Sequence, residues 1–284
     1  MYPIGLSTCN ALPTEDLFAA FAAAGIPKME ISTNMRGYEQ INLAAAKALS
    51  ERYGIEIWSL HLPFSPFSEM DIAALDEVFR ARSVAWLVDL MKRAAAVGIR
   101  RFVVHGSAEP VAREDRAQRM ERSKKSLLEL ATTAGELGAV VCVEDLPRTC
   151  LGRDSDEMLD LLSADPRLRV CCDTNHLLTE DLPAFIRRLG AKIETLHVSD
   201  YDGVDEKHWL PGEGVLDWQA VLEALSEVGY NGPWLYEIGL SDQPRKIVRD
   251  RPLTWSDFVR NAAELFAGKR PTTFFRPAAE GESR

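Results

Sequence analysis

Short apolar runs alternate along this chain with longer segments in which apolar positions recur every three or four residues. The runs are Ile4–Ser7, Lys28–Ile31, Ile55–His61, Arg101–His105, Ala139–Glu144, Leu168–Asp173, Ile193–Val198 and Trp234–Glu237. Their length suits buried parallel strands. The segments between them are Glu15–Ala24, Ile41–Tyr53, Ile72–Val97, Arg116–Leu137, Ser155–Ser163, Leu182–Leu189, Trp218–Val228 and Trp255–Phe266, each with helical periodicity. Gly25, Gly54, Gly98, Gly138, Pro166, Gly190 and Gly229 punctuate the boundaries. Eight strand-then-helix units at this length predict a single α/β domain, a (β/α)8 TIM barrel. A doubly wound sheet would carry a glycine-rich phosphate loop after its first strand, and LSTCNALPTEDL has none.

The barrel is expected to occupy residues 1–267. The remainder, 268–284, is rich in Pro, Gly and charge and reads as a tail that is loose or that docks, through Phe274 and Phe275, on the barrel or on a partner subunit.

The polar residues that end the runs change the picture from architecture to chemistry. His61, His105, Glu144, Asp173, His197 and Glu237 each close an apolar run, and His176 follows Asp173 by three. Because strand residues alternate between faces, Cys142 and Glu144 share one, as do Cys171 and Asp173, and Thr195 and His197. In a parallel barrel these ends converge on one rim, where catalytic groups gather. Three carboxylates and an imidazole crowded there would repel one another or take up protons. One divalent cation relieves that cost. The mixed oxygen and nitrogen donors suit Mn²⁺ first, then Zn²⁺ or Co²⁺, with Mg²⁺ less favoured because of the nitrogen.

Bulk composition narrows the partners. There are 33 Lys and Arg against 43 Asp and Glu, a formal net charge of −10, which speaks against a nonspecific nucleic-acid surface. No apolar run is long enough to span a membrane, and the start, MYPIGLSTCN, does not read as a secretion signal. The five cysteines, Cys9, Cys142, Cys150, Cys171 and Cys172, include no CxxC pair and read as buried free thiols of a cytoplasmic protein. A small-molecule substrate is expected, with no nucleic acid or membrane partner. Self-association is left open.

A set of motifs, in order and at strand-sized spacing, resembles the xylose-isomerase-like TIM barrels, which include ketose 3-epimerases, inosose dehydratases and endonuclease IV. They are HLPF at His61, VEDLP at Glu144, CDTNH at Asp173 and His176, HVSDYDG at His197, HWLPGEGVLDW at His208 and YEIGL at Glu237. The resemblance runs through Phe266. It implies a metal held by Glu144, Asp173, His197 and Glu237, with Glu144 and Glu237 also acting as acid and base, and His176 on a substrate oxygen. His61, His105, His208 and Glu30 complete the expected substrate contacts. The implied reaction is isomerisation or epimerisation of a sugar or related polyol ketone through an enediolate. A dehydratase or lyase sharing the first step, and an endonuclease IV-like phosphodiesterase acting at abasic sites, are the alternatives.

Two departures bear on the choice. SDYDGVDEK has Gly203 where the epimerases have a sugar-binding arginine, and Glu206-Lys207-His208 replaces the nuclease Asp-x-His pair, with Asn175 in place of a Cys before His176.

Overall fold

The structure is a computed structural model in which residues 1–240 and 247–275 are described. Residues 276–284, the outer part of the expected tail, lie outside them. Eight parallel strands form the sheet: β1 (Ile4–Ser7), β2 (Lys28–Ser32), β3 (Glu56–His61), β4 (Arg101–His105), β5 (Val140–Glu144), β6 (Arg169–Asp173), β7 (Ile193–His197) and β8 (Trp234–Tyr236). Their order is β7-β6-β5-β4-β3-β2-β1-β8. The ring closes between β7 and β8 through the Val198–Tyr236 bridge, with Val198 N donating to Leu235 O at 2.8 Å. This is the (β/α)8 barrel expected from the alternation.

The helices among the described residues are α1 (Glu15–Ala24), α2 (Met35–Gln40), α3 (Leu43–Tyr53), α4 (Glu77–Ala96), α5 (Arg116–Glu136), α6 (Ser155–Leu162), α7 (Leu182–Leu189), α8 (Trp218–Glu227) and α9 (Trp255–Phe266). None is long and apolar enough to cross a membrane. The expected helix from Ile72 starts later, because Asp76 caps Phe79 N at 2.9 Å and fixes the first turn there. Ile72, Ala73 and Ala74 remain buried as loop. The six-residue α2 was not foreseen. It is short and polar, and begins on the Asn34 side chain accepting from Gly37 N.

The main apolar core lies between strands and helices, and includes Phe18, Met29, Phe102, Leu130, Phe185, Trp234 and Phe258. Inside the barrel a separate small cluster comprises Val103, Cys142 and Cys171. Each of these lies two residues before a strand-end polar group, so compact side chains form the floor on which those groups stand. Cys142, Cys150, Cys171 and Cys172 are buried free thiols.

The chain after α9 packs back on the barrel. Thr272 N and Oγ1 donate to Glu264, and Asp250 N donates to Phe274 O at 2.9 Å. Arg251 covers the Phe274 ring at 3.8 Å, and Phe275 sits 6.3 Å from Trp209. As far as Phe275, then, the tail docks on its own barrel.

Candidate functional site

Registration of the last strands brings the acidic ends together. His105 pairs in register with Glu144, and Asp173 with His197. His197 Nδ1 lies 2.8 Å from Glu144 Oε1, 3.7 Å from Glu237 Oε2 and 3.9 Å from Asp173 Oδ2. One ligand atom from each of Glu144, Asp173, His197 and Glu237 lies within 4.8 Å of the others. Asp173 Oδ1 accepts from Asn175 N, whereas the buried Oδ2 has no hydrogen-bond partner. A carboxylate oxygen left bare among two further carboxylates and an imidazole is what a cation would satisfy, so the donor set fits a divalent metal.

A second layer supports these four. Glu144 is shared: Oε1 faces His197, while Oε2 lies 2.9 Å from His61 Nε2 and 3.1 Å from His105 Nε2. His61 is 1% exposed and turns its Nδ1 to Leu62 O. It therefore stands behind Glu144 and does not line the cleft, contrary to the expected substrate contact. Glu30 departs further from expectation. It is fully buried, accepts from Ser59 Oγ at 2.7 Å, and sits 2.9 Å from His197 Nε2 without hydrogen-bond alignment. Strand β2 extends to Ser32 and shifts register at Met29/Glu30, which lowers Glu30 one layer beneath the rim. It addresses His197 instead of a substrate hydroxyl.

The cleft above has a volume of about 370 Å³, and its lining includes Glu144, Glu237, His105, His176 and His208. Asp173 and His197 are fully buried beneath it. His176 is fixed by its Nδ1 on Asp145 O at 2.8 Å. His208, in the loop after β7, adopts φ 51°, and its Nδ1 is 3.0 Å from Glu237 O. Asn175 Oδ1 accepts from Lys207 N and His208 N at 2.6 and 3.3 Å, which ties that loop to β6. Trp209, next to His208, packs toward Phe275, with ring centroids 6.3 Å apart.

Further cleft groups come from loops far apart in sequence. Arg148 binds Glu109 through Nη2 at 2.9 Å and Asp205 through Nη1 at 2.7 Å, and reaches Glu206 at 3.3 Å. Glu206 is also 3.5 Å from His176 Nε2. Phe64 stacks on His105, with centroids 4.0 Å apart and planes 11° apart. Phe64 was visible in HLPF; the Arg148 links span 39 and 57 residues and leave no local signal.

The centre is electrostatically divided. Burial opposes a charge on the Glu144 carboxyl, yet His197 and His105 overcome it and hold the group well below its ordinary value. Burial lifts Glu237 to about 8, helped by Glu144 and Asp173. Burial also opposes charge on His176, but Asp173, Glu144 and Glu206 carry it to about 9. On His197, Cys171 and the carboxylates of Glu30, Glu144 and Glu237 outweigh burial and raise it well above an ordinary imidazole. His105 is lowered by burial. Burial and mutual repulsion thus push these closely spaced carboxyls apart in their affinity for protons.

Comparison with known proteins agrees with the fold. The family model described as xylose isomerase-like TIM barrel matches residues 18–256. D-psicose 3-epimerase of Ruminiclostridium cellulolyticum is 26% identical over 229 residues, 76% of this chain and 75% of that protein. Fructoselysine 3-epimerase of Escherichia coli O157:H7 is 28% identical over 118 residues, 39% and 42% of the two chains. Among solved structures, a D-tagatose 3-epimerase-like protein superposes with a TM-score of 0.74 at 24% identity, covering 84% of this chain and 90% of that one.

Proposed function

The chain belongs to the xylose isomerase-like TIM barrel family, and from that premise we propose that it is an epimerase or isomerase of a sugar or related polyol ketone. The observation that carries this reading is the division of the four clustered residues: Glu144 and Glu237 face the cleft, whereas Asp173 and His197 lie beneath it. Two carboxylates at one cavity floor can remove and return a proton on a carbon between them. The relatives named as sugar 3-epimerases support the same substrate class.

Glu144, Asp173, His197 and Glu237 would hold one divalent cation, Mn²⁺ by preference for this donor set. Its chemistry is to draw electron density from a substrate carbonyl and acidify the adjacent C–H. One glutamate takes that proton at a carboxylate oxygen, giving the enediolate, and the other glutamate returns a proton. His176, positioned by Asp145 O, offers Nε2 to a substrate oxygen. His105 and His208 line the wall and orient hydroxyl groups. Residues 1–267 form the catalytic barrel, and the free thiols suit a cytoplasmic setting.

The test is turnover in heavy water with D-fructose, D-psicose and D-tagatose. This reading expects deuterium on the carbon beside the carbonyl in the product. Turnover without exchange would overturn it, and exchange followed by loss of water would make the protein a dehydratase instead.

A second reading, an abasic-site phosphodiesterase, is favoured by one observation: His61, His105 and Glu144 also place ligand atoms within 4.8 Å of one another. Glu144 would then belong to two donor sets, and the metal ions would supply Lewis-acid activation of a phosphodiester. Zinc-dependent incision of a duplex carrying an abasic site would establish it, and an intact duplex would remove it.

A further inference from the structure

Large apolar side chains exposed on a soluble barrel need a reason when they cluster at a cleft. Phe64 and Phe67 are 36% and 42% exposed, and both line the cleft. Their centroids are 6.4 Å apart with planes 40° apart. One side of Phe64 is covered by His105, and the His105 Nε2 lies 3.1 Å from Glu144. The aromatic pair therefore begins one ring away from the acid that faces the cleft floor. The lining also carries the opposite chemistry: Glu109, Arg148 and Glu206, with Arg148 held against both acids. This cleft offers flat apolar rings together with fixed hydrogen-bonding groups. Its charges are mutually satisfied, since the guanidinium already meets Glu109, Asp205 and Glu206.

A pyranose ring matches that combination. It presents a C–H face to an aromatic ring and hydroxyl groups at its edge, and it carries no charge that Arg148 would have to be freed to meet. We propose that Phe64 and Phe67 form a second sugar subsite, so that the substrate is a ketose carrying a hexopyranosyl unit. The inference rests on the epimerase reading above, which seats the carbonyl end at Glu144 and Glu237. The added ring is accordingly attached at the other end of the ketose chain, toward the mouth.

The test is calorimetric titration of the full-length, Mn²⁺-loaded protein with D-fructose and with isomaltulose, a fructose that bears glucopyranose on O6. Isomaltulose is expected to bind at least about tenfold tighter, the scale of one good stacking contact. Phe67→Ala should bring the ratio of the two dissociation constants to about one, and Phe67→Trp should preserve it. Phe67 is substantially exposed, so a thermal melt suffices to confirm that the variants fold. Equal binding of the two sugars by the unaltered protein, with proton exchange on D-fructose intact, overturns the subsite and leaves the epimerase reading standing. A ratio unchanged by Phe67→Ala overturns it too. If neither sugar binds and neither exchanges a proton, the epimerase reading fails and the subsite falls with it. Should Phe67→Ala turn a dimer into a monomer in sedimentation, the rings belong to a subunit contact and the proposal is wrong.

Discussion

Glu30→Gln separates two roles for a residue whose side chain never reaches the cleft. The substitution keeps volume and the contact with Ser59 Oγ, but removes the negative charge 2.9 Å from His197 Nε2. A carboxylate behind a metal-binding imidazole orients the ring and raises its basicity, and its loss typically costs about 10- to 100-fold in metal affinity. Here Nε2 and Glu30 Oε1 are close but not aligned as a hydrogen bond, so the contribution is mainly electrostatic and the low end applies. That is about tenfold, or about 1.4 kcal/mol. The assay is titration of the chelator-stripped protein with Mn²⁺ in competition with a fluorescent chelator, alongside steady-state kinetics at saturating metal. The expected result is weaker metal binding, with kcat and KM largely recovered when metal is in excess. A raised KM at unchanged metal affinity would refute the reasoning and return Glu30 to the substrate.

Glu144→Gln and Glu237→Gln should each fold and lose at least about two orders of magnitude in turnover, read in the heavy-water exchange assay. Asp257, buried in the capping box of α9 and bound by Arg251, Arg260 and Thr254, has its carboxyl lowered to about 2 chiefly by Arg251. Its folded value is below its unfolded one, so its stabilisation is complete above the ordinary carboxylate range, near 3.9, and fades as pH falls toward about 2. Thermal melts of Asp257→Asn should show a loss on the order of 1 kcal/mol at neutral pH and a smaller drop between pH 4 and 2 than the parent shows. Gly214→Ala would push a Cβ into Asp200 Oδ1 and Tyr201 O, disturbing the carboxylate that also receives Gly212 N and Trp218 Nε1. A destabilisation of about 1–3 kcal/mol by denaturant unfolding is expected, and an unchanged midpoint would contradict the packing argument.

The ends of β4, β5 and β6 were legible because burial on both faces leaves a short apolar run that His105, Glu144 or Asp173 closes. The run ending at Glu144 and the one ending at Asp173 match β5 and β6 to within one residue. Alternation placed Cys142 and Glu144 on one face, and the structure has the cysteine in the barrel floor beneath the acid. Depth was less legible. The sequence pattern stops β2 at Ile31, which puts Glu30 at the rim, and nothing local announces the register shift at Met29/Glu30. Contacts between loops were not legible at all. The pairing of Arg148 with Glu109 and Asp205 depends on how three strand ends are brought together. Trp58 likewise finds its partner across the barrel, donating to Thr195 Oγ1 at 3.2 Å.

Glu144, Asp173, His197 and Glu237 are proposed to hold one catalytic cation. Metal analysis of the purified protein and of Asp173→Ala and His197→Ala tests this most directly. One equivalent of divalent metal per chain is expected in the parent, with its loss in both variants together with turnover. Retention of stoichiometric metal by both variants would contradict it. Two or more equivalents in the parent would also contradict it and favour a second metal held by His61, His105 and Glu144.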